Sequence, residues 1–232
     1  MLIAFEGLPG AGKTTQSRAL AAHLSERGTT VTYLPDNLTR AAEPLGQALL
    51  ALFDSGDPFS RHDSVLTDTY LAAAIRIDTY ATHIASALAS GIVIEDRGLH
   101  TLYSYSLASL VQKHRTPPDE AIAWILEVGT FAGPAATRSV WLRLPPDEAI
   151  ARAERRQGRP YTAEQRAFLR CAHDAYAALA ENNPDLHAIN VSGLTTDETQ
   201  RAVLAAVTDL ISPPSACPPS GDDASRVMRL GA

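Results

Sequence analysis

The chain has 232 residues, 45% of them hydrophobic, which is enough to bury one substantial core and typical of a single α/β domain. Its 20 basic and 26 acidic residues give a net charge of −6, which argues against a general nucleic-acid or anionic-membrane surface. The two cysteines, Cys171 and Cys217, indicate no disulfide framework or metal site. No apolar run approaches the ~20 residues that span a bilayer. We therefore expect a cytoplasmic protein without nucleic-acid or membrane partners.

The first predicted element is a strand over residues 1–6, which begins at Met1 and leaves no room for a signal peptide. Residues 7–15, GLPGAGKTT, follow it directly and match the Walker A pattern GxxxxGKT, and residues 14–27 then have helical spacing. In that context the glycines turn backbone N–H groups around phosphate oxygens at the positive end of a helix. The pattern predicts a nucleoside triphosphate site, with Lys13 on the β- and γ-phosphates and the Thr14 hydroxyl on Mg²⁺.

We expect nine residues to form this phosphate cradle: Gly7, Leu8, Pro9, Gly10, Ala11, Gly12, Lys13, Thr14 and Thr15.

Strands and helices alternate along the rest of the chain, which predicts a parallel sheet. The further predicted strands are residues 30–34, 92–94, 139–144 and 186–190. The further predicted helices are residues 41–53, 63–90, 99–114, 119–128, 162–181 and 196–211, with a loop at 54–62 and one more helix that opens at Pro146 and runs into a basic loop. We expect one domain over residues 1–211, because the Pro- and Ser-rich residues 212–232 have no apolar periodicity and are typical of a mobile tail.

A pair of carboxylates, Glu95 and Asp96, ends the third predicted strand, where open α/β sheets place functional groups. A carboxylate there can bind Mg²⁺, although a helix cap or a surface acid would also fit. We assign the metal to Asp96 rather than Glu95, because neighbouring strand residues point in opposite directions. Arg97 follows in the same turn, and its planar guanidinium suits a phosphate. Arg76 lies between two isoleucines in the long helix, where it either reaches solvent or lines a polar pocket.

The basic loop carries four arginines in eight residues: Arg152, Arg155, Arg156 and Arg159. A solvated charged face is the plain interpretation of such a run. Its position in an acidic chain, beside a Gly-Arg-Pro break between two helices, instead predicts a phosphate-clamping lid over residues 152–162. We expect Arg152, Arg156 and Arg159 to join Lys13 and Arg97 in neutralising transition-state charge.

Three segments resemble the thymidylate kinase family of nucleoside monophosphate kinases: IAFEGLPGAGKTTQ, IVIEDRGLHTLYSYSLA and VWLRLPPDEAIARAERR, with the arginine run and the helix after it. The resemblance covers about residues 1–211. It implies a P-loop NTPase three-layer fold, in which helices flank a five-stranded parallel sheet. It also implies ATP and Mg²⁺ as cofactors, and transfer of the ATP γ-phosphoryl group to a nucleoside monophosphate, with dTMP as first choice. It is also compatible with a homodimer.

Residue roles also follow from the resemblance. It places Lys13 at ATP and Thr14 at Mg²⁺. Asp96 and Arg97 match the family's DR pair, in which the arginine holds the acceptor phosphate. Arg76 matches an arginine at the base edge, Tyr105 a tyrosine near the sugar and, more loosely, Arg40 the arginine after the second strand. The small residue Ala11, together with lid arginines, is similar to the subtype in which the lid supplies the catalytic cation.

Departures from the family pattern fall in the acceptor region. Pro9 stands where relatives usually carry Asp or Glu, Ala72 where they tend to stack a phenylalanine on thymine, and Leu102 where they often carry Asn, Ser or Thr. The familiar REPGGT run is replaced by RAAEPLG at residues 40–46. The triphosphate residues are kept while base recognition is changed, so a different base, or an acceptor that is not a nucleotide, becomes plausible.

Two alternatives remain open from the sequence. One is a kinase for a nucleoside or other small-molecule hydroxyl group, which would need a base such as Asp36 or Glu95. The other is a nucleotide-binding regulator without turnover. His100, after the DRG turn, is interpreted as a polar cap at a helix start rather than a phosphate contact.

Overall fold

The computed structural model describes residues 1–36, 44–53, 59, 64–181 and 183–211. Several predictions fall outside these described residues. They are the role of Arg40, the first three residues of the helix predicted at 41–53, most of the loop at 54–62, the setting of Cys217 and the tail at 212–232.

Within the described residues, one five-stranded sheet forms the centre of the molecule. Its strands are β1 (Leu2–Glu6), β2 (Val31–Leu34), β3 (Ile92–Asp96), β4 (Arg138–Arg143) and β5 (Leu186–Asn190). All neighbours pair in parallel, in the order β2-β3-β1-β4-β5. The predicted five-stranded parallel sheet is therefore confirmed.

The helices connect these strands and cover the sheet. They are α1 (Lys13–Glu26), α2 (Pro44–Phe53), α3 (Val65–Thr79), α4 (Ala85–Ser90), α5 (Leu99–Lys113), α6 (Pro118–Thr130), α7 (Pro146–Gln157), α8 (Ala163–Glu181) and α9 (Thr196–Ile211). A π-helical turn at Tyr80–Ile84 joins α3 to α4, so the long helix predicted to end before Gly91 is one helical run. Among the described helices, none has both the length and the apolar content needed to cross a bilayer.

Both faces of the sheet are buried, because the side chains of β1 alternate between two cores. Ile3 and Phe5 pack into a core with residues of α1, α8 and α9. Leu2 and Ala4 point to the opposite face and pack with Ile84 of the π-helical turn. Two covered faces explain why β1 is apolar at four successive positions rather than alternating in polarity.

The order of the strands brings the carboxyl ends of β1, β2 and β3 to one edge of the sheet. β1 lies between β3 and β4, so the connections leaving β1 and β3 run in opposite directions across the sheet. In the register, Phe5 pairs with Asp96, and Leu34 of β2 pairs with Glu95. The glycine-rich loop, the DR turn and the residues after β2 therefore meet at one edge of the sheet.

The structure corrects the basic loop predicted from Arg152 onward. Helix α7 continues to Gln157, so the first three arginines of the run are helical. A proline and two acidic residues start this helix favourably, and Gly158 ends it with a left-handed φ of 72°. Arg159 alone of the four arginines lies in the connection to α8.

Candidate active site

The glycine-rich loop packs directly against the end of β4 and the first turns of α7. A Cβ atom on Gly7, whose φ is 130°, would lie 2.8 Å from the Leu142 carbonyl oxygen. A Cβ atom on Gly10, whose φ is 87°, would lie 2.3 Å from the Ala149 carbonyl oxygen of α7. No other residue type fits these two positions without moving backbone, so the glycines bring the loop into contact with α7.

A small cavity of about 90 Å³ lies at the start of α1. Six of the nine predicted cradle residues line it: Pro9, Gly10, Gly12, Lys13, Thr14 and Thr15. Leu8 and Ala11 are buried behind it, at 2% and 3% exposure. The Lys13 ammonium donates a hydrogen bond to the Leu8 carbonyl oxygen at 3.0 Å. The loop thus keeps this side chain folded back over its own backbone.

Burial, and secondarily the nearby charge of Arg97, lower the pKa of Lys13 to about 7. A buried ammonium without a full counter-charge is unfavourable, and an anionic phosphate in the small cavity would supply that counter-charge. The electrostatics of the cavity therefore favour an anion.

Thr14 and Asp96, both assigned to Mg²⁺ from the sequence, meet at the wall of this cavity. The Thr14 hydroxyl donates to Asp96 Oδ2, and Asp96 Oδ1 has no hydrogen-bond partner among the described residues. Hard cations such as Mg²⁺ prefer these oxygen donors. The described residues contain no cluster of three or more His, Cys, Asp or Glu side chains suited to a metal, so phosphate oxygens and water would have to complete such a site.

A larger cavity of about 430 Å³ adjoins the first. Its lining includes the predicted acceptor residues Arg76, Arg97 and Tyr105. It also includes the three positions at which the sequence departs from the family pattern, Pro9, Ala72 and Leu102. The two cavities share four residues: Pro9, Asp36, Arg97 and Arg156.

Arg97 lies at the junction of the two cavities in an unusual backbone conformation. Its φ is 78°, which few residues other than glycine adopt, and its N–H donates to the Phe5 carbonyl oxygen of β1 at 3.0 Å. Its Nε donates to Asp36 Oδ2 at 2.7 Å, and its guanidinium carbon lies 5.5 Å from the centre of the Tyr105 ring. Backbone and side-chain contacts together fix the direction of this guanidinium.

The basic run is divided by the structure. Arg156 lines both cavities and Arg159 lines the larger one. Arg152, one turn earlier on α7, forms a 2.6 Å ion pair with Glu148 and belongs to neither set of lining residues among those described. Its predicted catalytic role stays a prediction without a supporting contact here.

Glu6, at the end of β1, is the polar residue that sequence reasoning missed. Its side chain is fully buried and accepts hydrogen bonds from the backbone N–H groups of Gly98 and His100, both at 3.1 Å. It also accepts from the hydroxyls of Thr101 at 2.6 Å and Tyr176 at 3.1 Å. Burial raises the pKa of Glu6, against the effect of these hydrogen bonds. The available signal was an acidic residue ending an otherwise apolar strand.

An aromatic wall of the larger cavity was also missed. Phe168 stacks on Phe59 with centroids 5.5 Å apart and meets Tyr105 edge-on at 5.6 Å. Tyr161 lies 5.4 Å from Phe59. Tyr105 was a predicted site residue, but Phe59 lies far from Tyr161 and Phe168 in the sequence, and Phe168 has the spacing of an ordinary core residue, so no local pattern could have found the wall.

His100 has a structural role, but it is not the helix cap that the sequence suggested, because no side chain among the described residues caps the start of α5. Its Nδ1 lies 3.0 Å from the Ser139 hydroxyl and its Nε2 lies 3.0 Å from the Asn183 amide. Burial lowers the pKa of His100 to about 4 from its usual 6.5. The neutral ring bridges α5, β4 and the approach to β5.

Comparisons with known proteins agree with this geometry. Residues 5–203 match the family model described as thymidylate kinase. The chain is similar to a thymidylate kinase of Geotalea uraniireducens (strain Rf4), with 32% identity over 219 residues, 88% of this chain and 95% of the relative. A thymidylate kinase of Symbiobacterium thermophilum is 27% identical over 213 residues, 91% and 94% of the two chains.

A solved structure gives the same fold. The thymidylate kinase from Ehrlichia chaffeensis superposes with a TM-score of 0.65 and 18% sequence identity. The superposition covers 90% of this chain and 98% of that one. It confirms the predicted fold class.

Replacing Glu6 by alanine should lower the free energy of unfolding by roughly 2–4 kcal/mol, because four buried donors lose their acceptor. Glu6→Gln should cost less, since its amide oxygen can accept from the two backbone N–H groups and the two hydroxyls can turn to accept from its NH₂ group. Urea unfolding monitored by circular dichroism measures both. Equal losses for the two variants would contradict the assigned hydrogen bonds.

His100 should make the protein less stable in acid. Between pH 6.5 and 4 the unfolded chain binds a proton that the native ring does not, so the free energy of unfolding falls with pH and then levels off. The contribution is on the order of 3 kcal/mol. Unfolding of wild type and His100→Gln between pH 7 and 4 should show a shallower slope for the variant. His114→Gln, at an exposed position, is the control and should keep the wild-type slope.

Proposed function

The chain belongs to the thymidylate kinase family of nucleoside monophosphate kinases, and on that basis we propose that it transfers the γ-phosphoryl group of ATP to dTMP. The observation that carries this proposal is the pair of adjoining cavities that share Arg97 and Arg156. One cavity is lined by the glycine-rich loop and suits a triphosphate. The other is large enough for a small ligand and carries two further acceptor residues, Arg76 and Tyr105.

In this proposal the two substrates meet end to end at the shared wall. An oxygen of the acceptor phosphate attacks the γ-phosphorus, and the bond from that phosphorus to the bridging oxygen of ADP breaks. The acceptor oxygen is already anionic, so the reaction needs no strong base, and positioning with charge neutralisation supplies the rate. Lys13 would hold the β- and γ-phosphates, Arg97 the acceptor phosphate, and Arg156 the charge that develops between them.

Mg²⁺ fits the donors at the small cavity. The Thr14 hydroxyl and the Asp96 carboxylate would hold it, and the ion would neutralise charge on the β- and γ-phosphate oxygens. These two residues supply oxygen ligands from α1 and β3, and they leave room for the phosphates to complete the shell.

Pro9 removes the carboxylate that relatives carry in the loop, but an acidic group remains at the junction. Asp36, which follows β2, lines both cavities and pairs with Arg97. We propose that it orients Arg97. Glu95, the other base considered for a hydroxyl kinase, pairs with Arg76 and lies outside the lining residues found in the described part of the chain. Glu95 therefore does not favour the hydroxyl-kinase alternative, and Asp36 is already engaged by Arg97.

Three further parts of the proposal concern organisation. Residues 1–211 would be one kinase domain, in which residues 152–162 act as the lid. The protein would be cytoplasmic. A homodimer is supported by exposed apolar side chains on and next to α3 and α6. Tyr70 of α3 meets Trp124 of α6 edge-on, and Phe131, directly after α6, is 80% exposed. Sedimentation of the full chain measures this assembly.

A coupled assay of ADP release tests the function directly. We expect turnover with dTMP, to be compared with dUMP and dCMP because Ala72 and Leu102 change the cavity wall. Lys13→Ala and Arg97→Ala should each lower turnover by at least about a hundredfold, the scale seen when a preorganised charge contact is removed. Tight ATP binding without turnover on any mononucleotide would refute the proposal.

Two arginines on α7 provide a matched comparison. Arg156→Ala should lower kcat about a hundredfold, because this side chain lines both cavities. Arg152→Ala should change kcat by less than about threefold, because its guanidinium pairs with Glu148 on the same helix. Steady-state kinetics with saturating ATP and dTMP measure both. Similar losses would show that the helix moves as a lid and brings Arg152 into the site.

A further inference from the structure

A buried ion pair lies beside the larger cavity. Arg76 Nη1 lies 2.5 Å from Glu95 Oε2, and the two side chains are 6% and 0% exposed. Arg76 lines the cavity, and its Nε and Nη2 have no hydrogen-bond partner among the described residues. Glu95 thus holds one nitrogen of the guanidinium, while the other two nitrogens are buried and have no acceptor among the described residues.

Glu95 also contacts the turn that carries Arg97. A Cβ atom on Gly98 would lie 2.6 Å from Glu95 Oε1 and 2.7 Å from the Cβ atom of Ala4. The missing side chain at Gly98 is what makes room for the carboxylate. Glu95 therefore holds Arg76 and also packs against the residue next to Arg97.

The charges explain why a carboxylate is suited to this position. Arg76 and Arg97 line the same cavity, and a buried guanidinium without a partner is strongly unfavourable. Asp36 pairs with Arg97, and Glu95 pairs with Arg76. Each arginine is thereby kept in place before any ligand arrives.

We propose that Glu95 is a positioning residue that fixes the direction of Arg76 and its separation from Arg97. The inference rests on the proposed function in taking the acceptor to be a nucleoside monophosphate, whose phosphate lies at Arg97. The opposite end of the acceptor then faces Arg76, whose direction is set by its ion pair with Glu95.

Calorimetry of dTMP binding without ATP, together with steady-state kinetics, tests the proposal. Glu95→Gln should raise the Kd and KM for dTMP about tenfold and leave the KM for ATP within about twofold. Glu95→Asp keeps the charge but withdraws the carboxylate by one methylene, and it should give a smaller increase. It also keeps the test decisive if the glutamine variant does not fold. In Arg76→Gln/Glu95→Gln the loss should not exceed that of Arg76→Gln alone, because Glu95 acts through Arg76.

Asp209→Asn is the control, since it breaks the surface ion pair with Arg138 and should leave both substrates unaffected. An unchanged Kd for dTMP in the folded Glu95 variants, an equal rise in both KM values, or additive losses in the double variant would overturn the positioning role. Wild-type binding of dTMP without turnover would instead refute the proposed function, and the Glu95 role would still be decided by the Kd values. Absence of dTMP binding by the wild type would overturn both.

Discussion

One buried carboxylate organises the catalytic edge of the sheet. Glu6 ends the central strand, immediately before the glycine-rich loop, and receives four hydrogen bonds from α5, the turn before it and α8. Burying a carboxylate is unfavourable unless its oxygens are satisfied, so its partners are constrained to one arrangement. That arrangement holds the N–H group of Gly98 and so supports the left-handed backbone of Arg97, the residue before it. Phe5 accepts a hydrogen bond from the N–H group of Arg97, and the next residue, Glu6, leads directly into the phosphate loop. The loop and Arg97 are therefore both held by the end of β1.

The second organising feature is the alternation of charge around the two cavities. Asp36 and Glu95 each pair with one acceptor-side arginine, whereas Lys13 has a carbonyl oxygen as its hydrogen-bond acceptor and a pKa lowered by burial. The acceptor end is thus held in place by internal ion pairs, while the triphosphate end lacks a full counter-charge. This asymmetry matches two ligands of different kinds, a highly charged triphosphate and a mononucleotide with a neutral base.

The sequence predicted the parts of the site that depend on local pattern. The Walker A loop, the Asp96-Arg97 turn and Arg76 each lie in or beside an element whose type the spacing determines, and parallel strands bring such ends together. Glu6, the Asp36–Arg97 pair and the aromatic wall could not be predicted in this way, because their partners are distant in the chain and follow from strand order. The arginine run was placed wrongly in a loop, since its charge outweighed the helical phase that continues from Pro146 to Gln157.

The contact between Gly10 and α7 has a consequence for motion. The loop backbone rests on Ala149, and Arg156 lies seven residues further along the same helix, about 10 Å away. Movement of the helical part of the proposed lid, residues 152–157, would disturb this contact, so we expect Arg156 to stay with the phosphate loop. The first backbone freedom after it is Gly158, at the helix end. Closure over bound nucleotides would then begin at Gly158 and move Arg159 and the start of α8. In that case Arg156 would already be in place, while Arg159, which lines the larger cavity, would move with the closing segment.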